Sequence, residues 1–215
     1  MMTVRAATGE IEANPALPYG VKPAWLEYHA PYSTLLGIVS TPGWASQPRQ
    51  LVPTLVAIDT RTGWIRVIRA YPGLSKVTQG VSALDEAGER AFFLADNRLV
   101  TVHARSGAIL AQPVVRAPLA CLGYDAPTAT LAAITVLNGA TTLVRVDPRD
   151  GTLRPIASYP AIPGTVQGVS TLEAGQLTFL AGGRLVTVTV ATGKVVENLP
   201  FGGTLALLEG GPRRS

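Results

Sequence analysis

The stretch LVAIDTRTG at residues 55–63 returns as LVRVDPRDG at residues 143–151. The likeness continues without a gap to QGVSAL and QGVSTL, so residues 55–84 and 143–172 form a repeated unit. In each copy an alternating apolar segment runs into an aspartate and, four residues later, a glycine. Such alternation is typical of a β-strand with one buried face, and the ending predicts a tight hairpin turn. The repeat therefore predicts strands joined by hairpins.

The hairpin ending occurs five times along the chain, at spacings of 54, 44, 44 and 42 residues. The copies are TVRAATG ending at Gly9, AIDTRTG at Gly63, TVHARSG at Gly107, RVDPRDG at Gly151 and TVTVATG at Gly193. A period of this length is that of a propeller blade built from four short antiparallel strands. The sequence therefore predicts an all-β fold, a β-propeller with five blades that mostly have four strands each.

One propeller domain is expected over residues 1–215, and one of its blades is split between the two ends of the chain. Pairing the two ends would close the ring and remove its open edges. The glycines and proline after residue 209 oppose a further strand, so the split blade has three strands, or a second copy of the chain completes it, or the ring is larger. The expected blades are at about 25–68, 79–115, 119–158 and 167–199, with the split blade at 2–13 plus 204–209.

The x-V/I-D-x-x-T-G segments resemble the PQQ-type and YVTN-type propeller repeats, where this glycine closes a hairpin between the outer strands. The resemblance covers the five hairpins, and it implies the fold without implying a function. A PQQ-type repeat would also carry a tryptophan a few residues after the glycine. Here Trp64 follows Gly63 directly. We therefore expect no quinone, and no other cofactor.

The composition narrows the classes of partner. Apolar residues make up 47% of the chain and charged residues 15%, as in a protein with a large core. No apolar run reaches the ~18 residues of a membrane-spanning helix, and the absence of a signal peptide pattern favours a cytoplasmic location. The net charge of +4 comes from scattered arginines, so nucleic acid is not expected as a partner. The recurrent Arg66 and Arg154 are interpreted as protection of outer strand edges.

One face of the predicted ring offers a binding surface. Because neighbouring strands are antiparallel, the glycine hairpins share one face, while the connectors between blades and the loops after each second strand share the other. The longest of these loops, residues 40–54, replaces a tight Asn138-Gly139 turn in the matching blade. Aromatic and polar residues on such loops suit binding. The candidates are Trp44, Gln47 and Arg49 in the long loop and Tyr71, Lys76 and Tyr159 in the connectors. An alternative for the two tyrosines is that they stiffen the connectors and cover the core.

A second candidate site lies where the inner strands end beside the central channel. His29 and Asp125 occupy equivalent places in the repeat, and Glu27 and Glu173 lie close to them in the pattern. No metal is expected, because the two histidines lack the spacing of metal ligands.

Candidate groups for catalysis are few. Asp59 and Asp147 recur, but an aspartate before a hairpin is explained by hydrogen bonds to its own turn. No serine has the context of a nucleophile elbow, and Cys121 is expected to be a small core residue.

The function predicted from these observations is that of a non-enzymatic binding or scaffolding propeller, which uses the face of the 40–54 loop for a protein or small-molecule partner. The alternative is a small-molecule or sugar-processing propeller hydrolase or lactonase with a site in the channel. A lectin is disfavoured, because three unevenly spaced tryptophans do not repeat from blade to blade.

Overall fold

The computed structural model describes residues 3–4, 11–13, 23–29, 32–42, 51–162 and 164–202. Within these residues the fold is all-β. Four sheets have four antiparallel strands each, and in each sheet the strands pair in the order in which they follow along the chain. This meander is the arrangement expected of a blade.

The strand bounds define the blades. Blade 1 comprises β3 (Pro23–His29), β4 (Thr34–Pro42), β5 (Leu51–Asp59) and β6 (Ile65–Ala70). Blade 2 comprises β7 (Val77–Asp85), β8 (Arg90–Ala95), β9 (Arg98–His103) and β10 (Ile109–Ala111). Blade 3 comprises β11 (Leu119–Asp125), a 3-10 turn (Ala126–Thr128), β12 (Thr130–Leu137), β13 (Ala140–Val146) and β14 (Leu153–Tyr159). Blade 4 comprises β15 (Thr165–Glu173), β16 (Gln176–Ala181), β17 (Arg184–Thr189) and β18 (Val195–Pro200).

The number of blades departs from the prediction: the described residues form four blades and not five. Where the split blade was expected, β1 (Thr3–Val4) and β2 (Ile11–Ala13) pair as a two-stranded sheet. Residues 204–209, its predicted inner strand, lie outside the described residues. The count of five rested on glycine endings, and such an ending identifies a hairpin, which supplies only two of the four strands of a blade.

Blades 2 and 3 each bury both of their faces against the neighbouring blades. In β8, Phe93 packs with Trp25 and Tyr71 toward blade 1. The preceding residue, Phe92, packs with Leu131 toward blade 3. Successive side chains of a strand point to opposite faces of the sheet. When a blade packs between two others, both faces are buried, and the sequence of its strand is a continuous apolar run. This explains why the second strands read RAFFLA and TLAAIT rather than alternating with polar residues.

The same division of faces extends along the chain. Between blades 3 and 4 the core contains Phe179 and Ile134. On the face of blade 1 that points away from blade 2, Val39, Val56 and Ile58 form a further buried cluster. The blade interfaces are therefore the hydrophobic core of the protein.

Two equivalent glycines bring non-adjacent blades into contact. A Cβ added to Gly80 in β7 would lie 2.3 Å from the Cα of Gly168 in β15, so the two backbones touch. Both glycines have positive φ angles, of 66° and 75°, and the register of β7 shifts between Val77 and Ser82. Only glycine permits this conformation and this approach without strain. The QGVS repeat thus serves the contact between inner strands.

Candidate functional site

In blades 2, 3 and 4 the glycine that ends the outer hairpin packs against the preceding blade. A Cβ at Gly107 would lie 2.5 Å from the Cβ of Arg69, and one at Gly193 would lie 2.2 Å from the Cβ of Ala157. At Gly151 the equivalent distance, to the carbonyl oxygen of Val114, is 2.5 Å. All three glycines have positive φ angles, so the Thr-Gly pattern that reveals the repeat has a packing role as well as a turn role.

Two tyrosines complete this contact at alternate junctions. The hydroxyl of Tyr71 donates a hydrogen bond of 3.0 Å to the carbonyl oxygen of Gly107, and the hydroxyl of Tyr159 donates one of 2.7 Å to that of Gly193. Both side chains are buried. Burial raises the pKa of Tyr159 to about 12, and it raises the pKa of Tyr71 further above its usual range. We call this bond the tyrosine clasp. Tyr71 and Tyr159, which were both predicted as ligand contacts, therefore lie inside the interfaces between blades.

The junction between blades 2 and 3 has no clasp. The residue equivalent to the tyrosines is Val115, which is buried and whose amide donates to the carbonyl oxygen of Asn97 at 2.8 Å. Next to this junction, beside the hairpins, an open cleft has a volume of about 290 Å³. Its lining consists of Arg90, Phe92, Tyr124, Ala129, Thr130, Leu131, Arg145, Val146, Asp147, Pro148 and Arg154. We call it the arginine cleft.

One wall of the arginine cleft is fixed by an ion pair. The guanidinium of Arg90 donates to Oδ2 of Asp85 from Nε at 2.9 Å and from Nη2 at 2.6 Å. The same guanidinium lies 5.8 Å from the ring centre of Phe92 and 6.0 Å from that of Tyr124. A cation over aromatic faces is favourable, and the pair holds the group in one orientation. Burial raises the pKa of Tyr124, and the nearby Asp85 carboxylate acts in the same direction.

The predicted channel candidates lie at or near the ends of the inner strands. The residues at the ends of β3, β7, β11 and β15 are His29, Asp85, Asp125 and Glu173. Asp85 was not among the predicted candidates, although it occupies the same place in the pattern. The carboxylate of Glu27 accepts a hydrogen bond of 3.2 Å from the hydroxyl of Ser82 on the next inner strand.

His29 lies at the junction of blades 1 and 2. It is 2% exposed, and its ring centre is 4.8 Å from that of Tyr32. Burial lowers the pKa of His29, while the charges of Glu86 and Glu89 on the blade 2 hairpin oppose this shift. Its Nε2 has no hydrogen-bond partner among the described residues. His103, the other histidine, lies 3.4 Å from the carboxylate of Glu89.

Asp125 lies at the junction of blades 3 and 4. Its Oδ2 accepts a hydrogen bond from the hydroxyl of Thr128, and a Cβ added to Gly175 would lie 3.8 Å from its Oδ1. The residue is 2% exposed, and Oδ1 has no hydrogen-bond partner among the described residues. His29 and Asp125 therefore face the hairpins of different blades.

The remaining predicted candidates are placed as follows. Trp44, Gln47 and Arg49 lie outside the described residues. Lys76 is exposed, and its amide donates a hydrogen bond of 2.9 Å to the carboxylate of Asp96.

The groups considered for chemistry have structural roles. The Asp59 carboxylate accepts a bond of 2.7 Å from the amide of Thr62, and this bond lowers the pKa of Asp59. Burial raises the pKa of Cys121 to about 11. In the part of the chain that the structure describes, no group of three or more His, Cys, Asp or Glu residues could hold a metal ion. Nor does that part contain a helix long and apolar enough to cross a membrane.

No family model matches the chain, and no curated protein matches it in sequence. Similar solved structures are puromycin hydrolase, with a TM-score of 0.61, and the β-propeller domain of Cps50 (Swd1) from Myceliophteria thermophila, with 0.55. A chain of the Mitotic Checkpoint Complex has a TM-score of 0.56. The protein is a β-propeller.

These likenesses concern the fold alone, because the identities are 17%, 13% and 11% in the same order. The matches cover 92%, 92% and 93% of this propeller, but only 34%, 65% and 57% of the other chains. The propeller thus spans less than two thirds of the length of the structures it matches.

Proposed function

We propose that this propeller is a non-enzymatic binding protein that holds its ligand in the arginine cleft between blades 2 and 3. The observation that carries the proposal is the contrast among the junctions. A tyrosine clasp closes the junctions of blades 1 and 2 and of blades 3 and 4, while an open, concave surface lies beside the third. Concave sites with aromatic walls and a few convergent polar groups are typical of ligand binding.

The state of the ionisable groups supports binding rather than catalysis. Asp59 holds a turn, and Asp85 is ion-paired to Arg90. Cys121 is buried with a raised pKa, so little of it is the reactive thiolate near neutral pH. An enzyme site would bring such groups together with their pKa values matched to a reaction.

Similar propellers occur in both roles. One match is a chain of a checkpoint complex, and another is a hydrolase. Fold alone does not decide between them, because function depends on the site grafted onto the fold. We also propose the segment between β4 and β5, with Trp44, Gln47 and Arg49, as a second contact surface, and the two variants described next distinguish it from the cleft.

The test combines binding and turnover in one panel of compounds. Carboxylates, phosphate esters, neutral sugars and lactones are screened for a rise in melting temperature, and each compound is then measured by mass spectrometry after incubation. A ligand present at about 100 times its Kd should stabilise the fold by about 2.7 kcal/mol. We expect at least one class to stabilise the protein and to be recovered unchanged.

Two variants locate the site. Arg145→Ala changes the cleft to the residue that blade 1 carries at the equivalent place, Ala57, while Trp44→Ala with Arg49→Ala changes the loop. We expect stabilisation to fall in the first variant and to be kept in the second. The reverse result would assign binding to the loop face, and a compound that is consumed would contradict the non-enzymatic proposal.

A second candidate function is a hydrolase that uses Asp125. The observation in its favour is a buried carboxylate with one oxygen that lacks a hydrogen-bond partner among the described residues. Buried unpartnered polar atoms are rare in folded proteins and call for an explanation. If a panel compound is hydrolysed and Asp125→Asn abolishes this, the hydrolase replaces the binding proposal. If turnover survives in Asp125→Asn, this candidate is wrong.

A further inference from the structure

Two of the three arginines of the arginine cleft, Arg145 and Arg154, form no ion pair with a described residue. The third, Arg90, is paired with Asp85 at 2.6 Å. Among the described residues, the ion pairs within 4.0 Å are this one and that of His103 with Glu89. Asp147 is the only acidic residue of the lining, and its Oδ1 accepts a bond of 2.9 Å from the amide of Arg149 in its own turn. Arg154 also lowers the pKa of Asp150, but only as a contribution smaller than the hydrogen bonds from Thr152.

The two unpaired arginines lie directly opposite each other. Arg145 in β13 and Arg154 in β14 are Cα partners in the strand register, and both residues are exposed. Like charges on directly opposed residues of antiparallel strands repel each other and weaken the pairing. A bound anion would turn this repulsion into attraction.

The other blades show that the blade fold does not require this pair. The equivalent partners are Ala57 and Arg66 in blade 1, and Thr187 and Glu197 in blade 4. In these blades an uncharged residue stands where blade 3 has Arg145. The second charge is therefore specific to the blade that borders the cleft.

The opposite wall is rigid and aromatic. The rings of Phe92 and Tyr124 are stacked, with centres 5.8 Å apart and planes at 22°. Arg90 lies over both rings and is held by two hydrogen bonds to Asp85. A wall fixed in this way loses little entropy when a ligand binds, and a planar group can pack against it.

We infer that the arginine cleft binds a small organic oxyanion, a carboxylate or a phosphate ester, through Arg145 and Arg154. This inference rests on the proposed binding function and names the class of its ligand. Guanidinium groups bind both oxyanions by paired hydrogen bonds, and they hold their charge at all ordinary pH values. The cleft volume of about 290 Å³ suits a ligand of about one ring, at the small end of the range for ligand sites.

The test uses three probes of nearly the same shape and different charge. Benzoate, phenyl phosphate and the neutral benzamide are titrated into the full-length protein, with binding followed by ligand-observed NMR. We expect benzoate or phenyl phosphate to bind at least about tenfold more tightly than benzamide. The stronger of the two anions identifies the source of the oxyanion. Added salt should weaken the binding of the anions and leave that of benzamide unchanged.

Matched variants test the residues. Arg145→Ala and Arg154→Ala should each weaken the binding of the preferred anion at least about fivefold. The control is Arg66→Ala, which removes the equivalent of Arg154 from blade 1 and should leave binding unchanged. Urea unfolding curves of all three variants show whether each is folded. Arg145→Lys, which keeps charge but loses paired donors, should bind with intermediate affinity.

Each result separates this inference from the proposed function. Equal binding of benzamide and the anions, or equal loss in Arg66→Ala and Arg154→Ala, overturns the inference of an oxyanion site. If neutral sugars or lactones from the panel bind in the cleft while the three probes do not, the class is wrong and the binding function stands. If nothing in the panel or among the probes binds, both proposals fail.

Discussion

The junction of blades 3 and 4 and the junction of blades 2 and 3 are built from the same repeat and differ at the position of the tyrosine clasp. In both, a hairpin glycine presses against the preceding blade, Gly193 on Ala157 and Gly151 on Val114. Only the first has a tyrosine hydroxyl bonded to the glycine carbonyl oxygen. At the second, Val115 fills the same place without a hydrogen bond from its side chain.

The difference follows the two-blade repeat, since Tyr71 and Tyr159 are exact equivalents within it. Clasped and unclasped junctions therefore alternate along the chain. The arginine cleft borders the unclasped junction, where the contact is made by apolar packing and backbone. We therefore expect the clasps to stabilise pairs of blades, and we propose the boundary between the pairs as the place where a ligand binds.

Substitution of the hairpin glycines, whose contact all three described junctions share, should have the largest effect on the free energy of unfolding. Gly193→Ala and Gly151→Ala would each place a Cβ 2.2 or 2.5 Å from the preceding blade, at a positive φ angle. We expect a loss of at least about 3 kcal/mol in the free energy of unfolding, because backbone strain and steric overlap act together. Urea or guanidinium denaturation measures this loss.

Gly139→Ala is the matched control for that experiment. Gly139 has a φ of 78°, and an added Cβ would meet nothing within 4 Å. It should cost only about 1 to 2 kcal/mol, the value of the left-handed conformation itself. If Gly139→Ala costs as much as Gly193→Ala, the glycines serve their turns and not the junctions.

Removing the clasp hydroxyl should have a smaller effect. Tyr71→Phe and Tyr159→Phe keep the ring and leave the carbonyl oxygen of Gly107 or Gly193 without its partner. Each should lower the free energy of unfolding by about 1 to 2 kcal/mol. The control is Tyr28→Phe, because Tyr28 is 46% exposed and its loss should change stability little. Equal effects at all three positions would contradict a specific role for the clasp.

The strands and hairpins could be predicted from the sequence because local patterns determine them. The period of two, the Thr-Gly endings and the repeat spacing led to four of the blades. The prediction of a fifth blade, split between residues 2–13 and 204–209, was wrong for the described residues, in which β1 and β2 form only a two-stranded sheet. Strand number depends on residues that a short motif does not contain.

The candidate site was less accessible to sequence reasoning. Arg154 was interpreted as edge protection, yet it lines the cleft together with Arg90 from another blade. Such a site depends on how the blades pack side by side, and the periodicity of the sequence does not predict this packing. One signal was present in the sequence. When the two copies of the repeat are aligned, Arg145 takes the place of Ala57, and a charged residue in place of a small one is a reason to look for a local role.

Thiol labelling can show whether the clasp acts at its own junction. Cys121 is buried between blades 3 and 4, and its raised pKa leaves it protonated in the folded protein. Labelling under native conditions therefore requires local opening or unfolding. We expect Tyr159→Phe to accelerate labelling about fivefold, as a loss of about 1 kcal/mol implies, and Tyr71→Phe to leave the rate nearly unchanged. Equal acceleration in both variants would mean that Cys121 reacts only through global unfolding.

The smallest effect concerns His29, which lies at the other clasped junction, between blades 1 and 2. The pKa of His29 in the folded protein is below its usual value of 6.5, because burial disfavours the charged imidazole despite Glu86 and Glu89. The unfolded chain therefore binds a proton more readily than the folded protein. The stability that neutral His29 contributes is present above pH 6.5 and is lost as the pH falls through the lower pKa of the folded state.

Urea unfolding between about pH 7.5 and 5 should show a shallower decline of stability in His29→Gln than in the unchanged protein. His103→Gln, beside the carboxylate of Glu89, is the control and should keep the decline. An unchanged decline in His29→Gln would show that its burial does not control the acid stability of this junction.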